Sequence, residues 1–269
     1  MAIQIKTLDQ LKLMRKAGLV VAQTHDLMRA AIVPGVTTND LNEIAIKNLA
    51  ANNAKSNFLN YHGFPAVICA SINDEIVHGI PNDRPIEDGD IVSIDFGAII
   101  EGWHGDAAFS AIAGTKNLED QKLLDTCEES MWRGIAAGKA GANLTDISFA
   151  IEDYIRSQGK YGILREYGGH GIGTEMHQEL HVLNFGAAGM GPELKPGIAL
   201  AIEPMITRGS PKTKVLADEW TVVSQDGTRG AHFEHSFAIL EDGKPFVLTA
   251  IDGGREKLGS LGIDISNLL

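Results

Sequence analysis

Apolar and polar positions alternate most regularly in Ile91–Gly97 and in His104–Ser110. Val92, Ile94 and Phe96 take one side of the first stretch, with Ser93, Asp95 and Gly97 on the other. Ala107, Phe109 and Ala111 then alternate with Asp106, Ala108 and Ser110. This period of two predicts a β-hairpin with one bulky apolar face and one small polar face. An even-numbered turn around Ile100-Glu101-Gly102 would set Asp95 directly opposite Asp106, with Cβ atoms roughly 4.5–5.5 Å apart. Acids that close repel, so either one is protonated or a cation lies between them. A solvated hairpin face is the plain alternative, against which stands the depletion of Asp from strands.

Elsewhere the period is helical. Thr7-Leu8-Asp9-Gln10 has the capping-box form, and Leu8, Leu11, Met14, Leu19 and Ala22 follow at helical spacing. An amphipathic helix is predicted over 8–31, ended by Pro34-Gly35. A second starts between Thr38 and Asp40 and runs through Leu41, Ile44 and Leu49 to Asn52-Asn53. Residues 65–78 read as short strands turning at Asn73-Asp74, and Leu118–Ala137 with Thr145–Gln158 as another helix pair.

Three blocks recur in the same order. Gly35-Val36-Thr37-Thr38-Asn39-Asp40-Leu41 aligns with Gly141-Ala142-Asn143-Leu144-Thr145-Asp146-Ile147, and Val77-His78-Gly79-Ile80 with Gly169-His170-Gly171-Ile172. Gly89-to-Asp95 aligns with Gly197-to-Glu203 at equal spacing. Two related α+β halves are predicted, about 1–115 and 116–269, packed face to face as a single domain over 1–269. Each half offers a histidine, a strand ending in an acid and a further acid: Asp95 and Asp106 in the first, Glu203 and Glu234 in the second.

Composition narrows the class. The 269 residues are enough for a full core, and a formal net charge of −12 disfavours a nucleic-acid or anionic-membrane surface, which needs a basic patch. Two cysteines, Cys69 and Cys127, make no disulfide framework. With no leader and no long apolar run, a cytoplasmic protein is expected.

Four converging carboxylates would place about four negative charges in one pocket, which a buried site cannot hold uncompensated. Two divalent cations would neutralise them. With His170 as nitrogen donor, Asp95, Asp106, Glu203 and Glu234 favour Mn, Fe, Co or Zn over a thiolate-type site. Such a pair activates water, so hydrolysis of a carbonyl or phosphoryl group is the expected reaction class. His78 and His177 stand as donors near that centre or as ordinary structural histidines.

The motifs Tyr61-His62-Gly63-Phe64-Pro65, Ser71-Ile72-Asn73, His78-Gly79-Ile80-Pro81, His104-Gly105-Asp106, Gly169-His170-Gly171-Ile172-Gly173, Ile202-Glu203-Pro204-Met205, Glu219-Trp220-Thr221 and Phe233-Glu234-His235 span nearly the whole chain. Together they resemble the type I methionine aminopeptidases of the pita-bread fold. The resemblance implies an α+β fold of two pseudo-symmetric halves around a central antiparallel sheet, and a metallo-exopeptidase that removes initiator methionine before a small second residue. It implies that Asp95 chelates one metal, His170 and Glu203 bind the other, and Asp106 and Glu234 bridge both. Glu203 would also help deprotonate the attacking water, His177 would bind the scissile carbonyl oxygen, and His78 would contact the peptide beyond methionine. Tyr61, Phe64, Cys69, Met176 and Trp220 would form the methionine pocket, where plain core packing is the alternative. Nascent polypeptide N-termini at the ribosome exit would be the partners of a monomeric enzyme.

Departures also show. After His177 the family usually has an acid and later a proline, whereas this chain has Gln178, Glu179 and Leu180; Gly97 stands where many relatives carry threonine. The short interval from His170 to Glu203 leaves no room for the helical insertion of type II enzymes, and no N-terminal zinc finger is expected. Two rival readings share the fold: an Xaa-Pro aminopeptidase or prolidase, which generally has a large extra N-terminal domain, and a non-catalytic peptide- or protein-binding module, which usually loses metal ligands.

Overall fold

Local hydrogen bonding starts the four main helices. In the computed structural model, which describes residues 3–266 and 268, α1 spans Leu8–Ala31 and α2 Thr38–Ala51. Thr7 accepts from the Gln10 N–H while its own N–H donates to the Gln10 side chain at 2.9 Å, and Thr37 and Asp40 repeat the arrangement. Helix α3, Leu118–Ala137, is capped by Asn117, and α4, Leu144–Gln158, by the reciprocal Asn143–Asp146 pair. A short helix, α5 (Arg255–Ser260), follows near the C-terminus.

Among the described residues, nine strands form one largely antiparallel sheet. In chain order they are β1 Lys55–Ser56, β2 Ile68–Ile72, β3 Ile91–Ile100, β4 Trp103–Ile112, β5 Gly169–Gly171, β6 Gln178–Val182, β7 Ala199–Ile202, β8 Glu234–Ile239 and β9 Pro245–Val247. Along the sheet the path runs β1-β3-β4-β8-β7-β5-β6, with β2 also on β3 and β9 also on β8. Helix α1 packs on β3 and β4, and α3 contacts β4, β7 and β8 as well as α4. The apolar faces of helices and sheet merge in one core that contains Phe96, Phe109 and Phe237. Two three-stranded sheets lie outside it, one joining Glu75–Val77 to Val222–Ser224 and Thr213–Val215, the other joining Gly162–Ile163, Met205–Thr207 and Gly230–His232.

Two expectations need correction. The hairpin is present, but its turn is Glu101-Gly102, both at positive φ (51° and 83°), as a two-residue hairpin turn requires. Ile100 therefore pairs with Trp103, Asp95 with Ala108 and Asp106 with Gly97. The acids share a face but stand diagonally, where neighbours are about 7–8 Å apart rather than directly opposite. Nor do the hairpin and the β7–β8 pair meet face to face. They join edge to edge, Glu234 against Ala108 and His235 against Ala107, which satisfies backbone groups that two free strand edges would expose.

Candidate metal centre

Period-two alternation sends Asp95, Asp106 and Glu234 to one side of the sheet, and Glu203 follows directly on the end of β7. His170 comes from the middle of β5, beside Ala201. These five residues meet at one cavity of about 380 Å³, which Tyr61, Phe64, Cys69, His78, Met176, His177 and Trp220 also line. All twelve residues singled out in the sequence thus share one site. His78 and His170 reach it differently despite their aligned motifs. His170 lies within the central sheet, whereas His78 follows Glu75–Val77 with φ +61° and packs near Tyr167 and Trp220.

The acids are crowded and receive no lysine or arginine among the described residues. Burial, then the charges of Asp106 and Glu203, raises Asp95 well above the usual carboxylate range. Burial likewise raises Glu203 and Glu234, with neighbouring acids adding to the shift. It pushes Asp106 up to about 7, while the Asn57 amide and the Ala107 backbone favour its charged form. The histidines are pressed the other way. Burial lowers His170 to about 3 and His78 to about 4, the neighbouring His177 contributing to both, and lowers His177 too. They are neutral near pH 7, the state in which an imidazole such as that of His170 is able to coordinate a metal.

Divalent cations fit this donor set. Asp95 Oδ1, Asp106 Oδ1 and Glu234 Oε1 are buried oxygens without a hydrogen-bond donor. His170 Nε2 is 3.6 Å from Glu203 Oε1, beyond hydrogen-bond reach. Ligand atoms of Asp106, His170 and Glu234 lie within 4.8 Å of one another, and so do those of Glu203, His232 and Glu234. Neutral imidazole with hard oxygens suits Mn, Fe, Co or Zn.

Beside the acids the cavity turns apolar. Phe58, Phe64, Ala66, Cys69 and Met176 form a small buried cluster of their own, with Ile80 and Trp220 against it. Phe64 meets Trp220 edge to face at 5.1 Å between ring centres. At the boundary, His177 packs on His170 with ring centres 4.3 Å apart, and its Nδ1 is 2.8 Å from Tyr61 Oη.

Several site residues carried no periodic signal. Asn57 donates its amide to Gly105 O at 3.1 Å behind Asp106, and Phe58 next to it lines the apolar end. The departures from the family pattern gain physical reasons here. A Cβ on Gly97 would fall 2.1 Å from Asn57 Nδ2, so the asparagine fills the space a threonine would need. Leu180 has φ +82°, a backbone that proline cannot adopt. Gln178 accepts from Lys6 Nζ at 3.0 Å and donates to Gln4 Oε1 at 2.7 Å, tying the N-terminal segment to the His177 loop.

Comparison with known proteins agrees with this geometry. The sequence profile of metallopeptidase family M24 matches residues 12–241. Methionine aminopeptidase 1 of Bacillus subtilis is 45% identical over 238 residues, 88% of this chain and 96% of that protein. Methionine aminopeptidase 1 of Mycobacterium tuberculosis is 46% identical over 250 residues, 91% of this chain and 94% of its own. The crystal structure of the Rickettsia prowazekii methionine aminopeptidase superimposes with a TM-score of 0.90 at 38% identity, covering 92% of this chain and all (100%) of that one. Prolidase from Pyrococcus furiosus, at 21% identity and TM-score 0.73, shares the fold alone, and the match spans 91% of this chain but 65% of the prolidase. The chain has the pita-bread fold and belongs to metallopeptidase family M24, within its methionine aminopeptidases.

Proposed function

We propose that this chain is a metal-dependent methionyl aminopeptidase that removes the N-terminal methionine from peptides and nascent proteins with a small second residue. The observation that carries this reading is the junction in one cavity of an acid cluster, with no lysine or arginine paired to it among the described residues, and an apolar slot. Family membership brings divalent metal binding with it; two ions per chain, drawn from Mn, Fe, Co and Zn, suit the number of acids. Asp95, Asp106, His170, Glu203 and Glu234 would hold them, and when bound they supply Lewis acidity toward the scissile carbonyl and the attacking water.

The chain's own groups do the rest. The slot of Phe58, Phe64, Cys69, Met176 and Trp220 takes an unbranched thioether, holding the scissile bond beside the acids. Glu203 accepts the proton of the attacking water and returns it to the departing amine. Tyr61 Oη lies 2.8 Å from His177 Nδ1, and when it donates there the ring proton is left on Nε2, ready to bind the developing oxyanion. His78, against Tyr167, contacts the chain beyond methionine and narrows the room for the second residue. His177→Ala is expected to lower turnover on the order of 10²-fold, as loss of one oxyanion donor does.

We read 1–269 as one catalytic domain of two related halves, supported by the matching φ of +85° at Gly89 and Gly197 and by the Thr37–Pro85 and Asn143–Glu193 bridges. A cytoplasmic monomer acting on chains that emerge from the ribosome suits this substrate, and no described helix is long and apolar enough to cross a membrane. The test is hydrolysis of Met-Ala-Ser, Met-Leu-Ser and Ala-Pro-Ala by stripped protein titrated separately with Mn, Co, Fe and Zn. Metal-dependent methionine release from the first peptide alone is expected. Cleavage of the proline peptide would transfer the chain to the Xaa-Pro enzymes, and silence with every metal would favour a binding protein.

A further inference from the structure

We propose that His232 is a nitrogen donor of the metal centre, completing a second triad with Glu203 and Glu234 beside that of Asp106, His170 and Glu234. The proposal rests on the reading of the acid cluster as a divalent-cation site. Among the matched motifs, Phe233-Glu234-His235 begins one residue later, so nothing in the resemblance assigns His232 a role.

The backbone of His232 is clamped across the sheets. Its N–H donates to Ser110 Oγ at 3.0 Å, that hydroxyl lies 3.0 Å from its carbonyl oxygen, and Ser93 Oγ is 2.7 Å from the same hydroxyl. The ring is 1% exposed, and its Nε2 has no hydrogen-bond partner. A buried polar atom left without a partner is costly, so such an atom calls for an explanation.

What faces Nε2 is the carboxylate of Glu203, with Oε2 at 3.7 Å. On the other side of that carboxylate, Oε1 stands 3.6 Å from His170 Nε2. Both separations are too long for hydrogen bonds. They suit a shared ion, because two atoms each about 2.1 Å from a cation at a tetrahedral angle lie about 3.4 Å apart. Ligand atoms of Glu203, His232 and Glu234 are all within 4.8 Å of one another. Glu203 is therefore flanked by two imidazoles in near-equal geometry, each belonging to a triad that includes Glu234. A centre with an imidazole in each triad discriminates against Mg and Ca more strongly than one with a single nitrogen.

The test uses the full chain, stripped and reloaded with Co(II), and proton NMR. Each cobalt-bound imidazole contributes a strongly shifted ring N–H signal that disappears in D2O. Two such signals are expected from the wild type; His232→Gln should remove one and His170→Gln the other, and calorimetry should show at least about tenfold weaker cobalt binding in His232→Gln. One signal in the wild type, or two that persist in His232→Gln with unchanged affinity, would overturn the proposal. The wild-type count decides even if the variant does not fold. A wild type that binds no cobalt at all would overturn the metal-centre reading itself along with this one.

Discussion

Asp120 and Asp106 are equally hidden, 1% and 3% exposed, yet the chain treats them in opposite ways. Asp120 is met by Arg208, by Arg229 and by the Asn117 amide, so its charge is answered within the protein. Asp106 has other carboxylates and neutral histidines for company, with one oxygen left bare. Burial alone therefore does not mark a functional acid. What separates the two is the source of the counter-charge: the fold provides it for Asp120, and no lysine or arginine among the described residues provides it for Asp106.

That contrast breaks most decisively on activity. Asp95→Asn or Glu203→Gln should abolish methionine release from Met-Ala-Ser while circular dichroism shows the fold retained; wild-type turnover in either would end the assignment. Next comes stability. Asp120→Ala removes the acid that two arginines share and should cost roughly 3 kcal/mol in urea unfolding, the low end for a broken buried ion pair because both arginines are about one-third exposed and Arg208 keeps Glu119. A change below about 0.5 kcal/mol would place Asp120 among ordinary surface acids. Asp106→Asn should act with the opposite sign in stripped protein, raising stability by about 1 kcal/mol, and should become destabilising once saturating Mn or Co is added. Loss of stability in both states would show that Asp106 is a structural acid.

The smallest expected effect is on pH dependence. The folded pKa of Asp106, about 7, is raised above its ordinary 3.8, so the stability its bound proton gives is complete below about pH 4 and lost as pH rises through about 7. His170, lowered to about 3, and His78, lowered to about 4, act in the opposite sense below their ordinary 6.5 and have little effect above it. Between pH 6.5 and 8, stripped protein should lose stability in denaturant titrations, and Asp106→Asn should lessen that loss, the raised Asp95, Glu203 and Glu234 contributing the rest. An equal slope in the variant would remove Asp106 as its source.

The hairpin was legible in the sequence because side chains on a strand alternate, and alternation survives without knowledge of register. Register was not legible, since it turns on which two residues bend: Ile100-Glu101-Gly102 holds no asparagine to announce that Glu101 takes a positive φ. Asp95, Asp106, His170, Glu203 and Glu234 could be read as the proposed ligands because chemistry and pattern coincide on them. Asn57 could not, because it lies in irregular chain and reaches Asp106 only through the fold, 48 residues from the carbonyl it binds. His232 stands two residues before Glu234 in the sequence, but only the distances to Glu203 give that placement chemical content.

The close fit of Asn57 against Gly97 bears on how this chain can diverge from its threonine-bearing relatives. Neither position is free to drift alone: threonine at 97 collides with the asparagine, and a smaller residue at 57 leaves a gap and withdraws the amide from Asp106. A route between the two states that changes one position at a time therefore passes through either the collision or the gap.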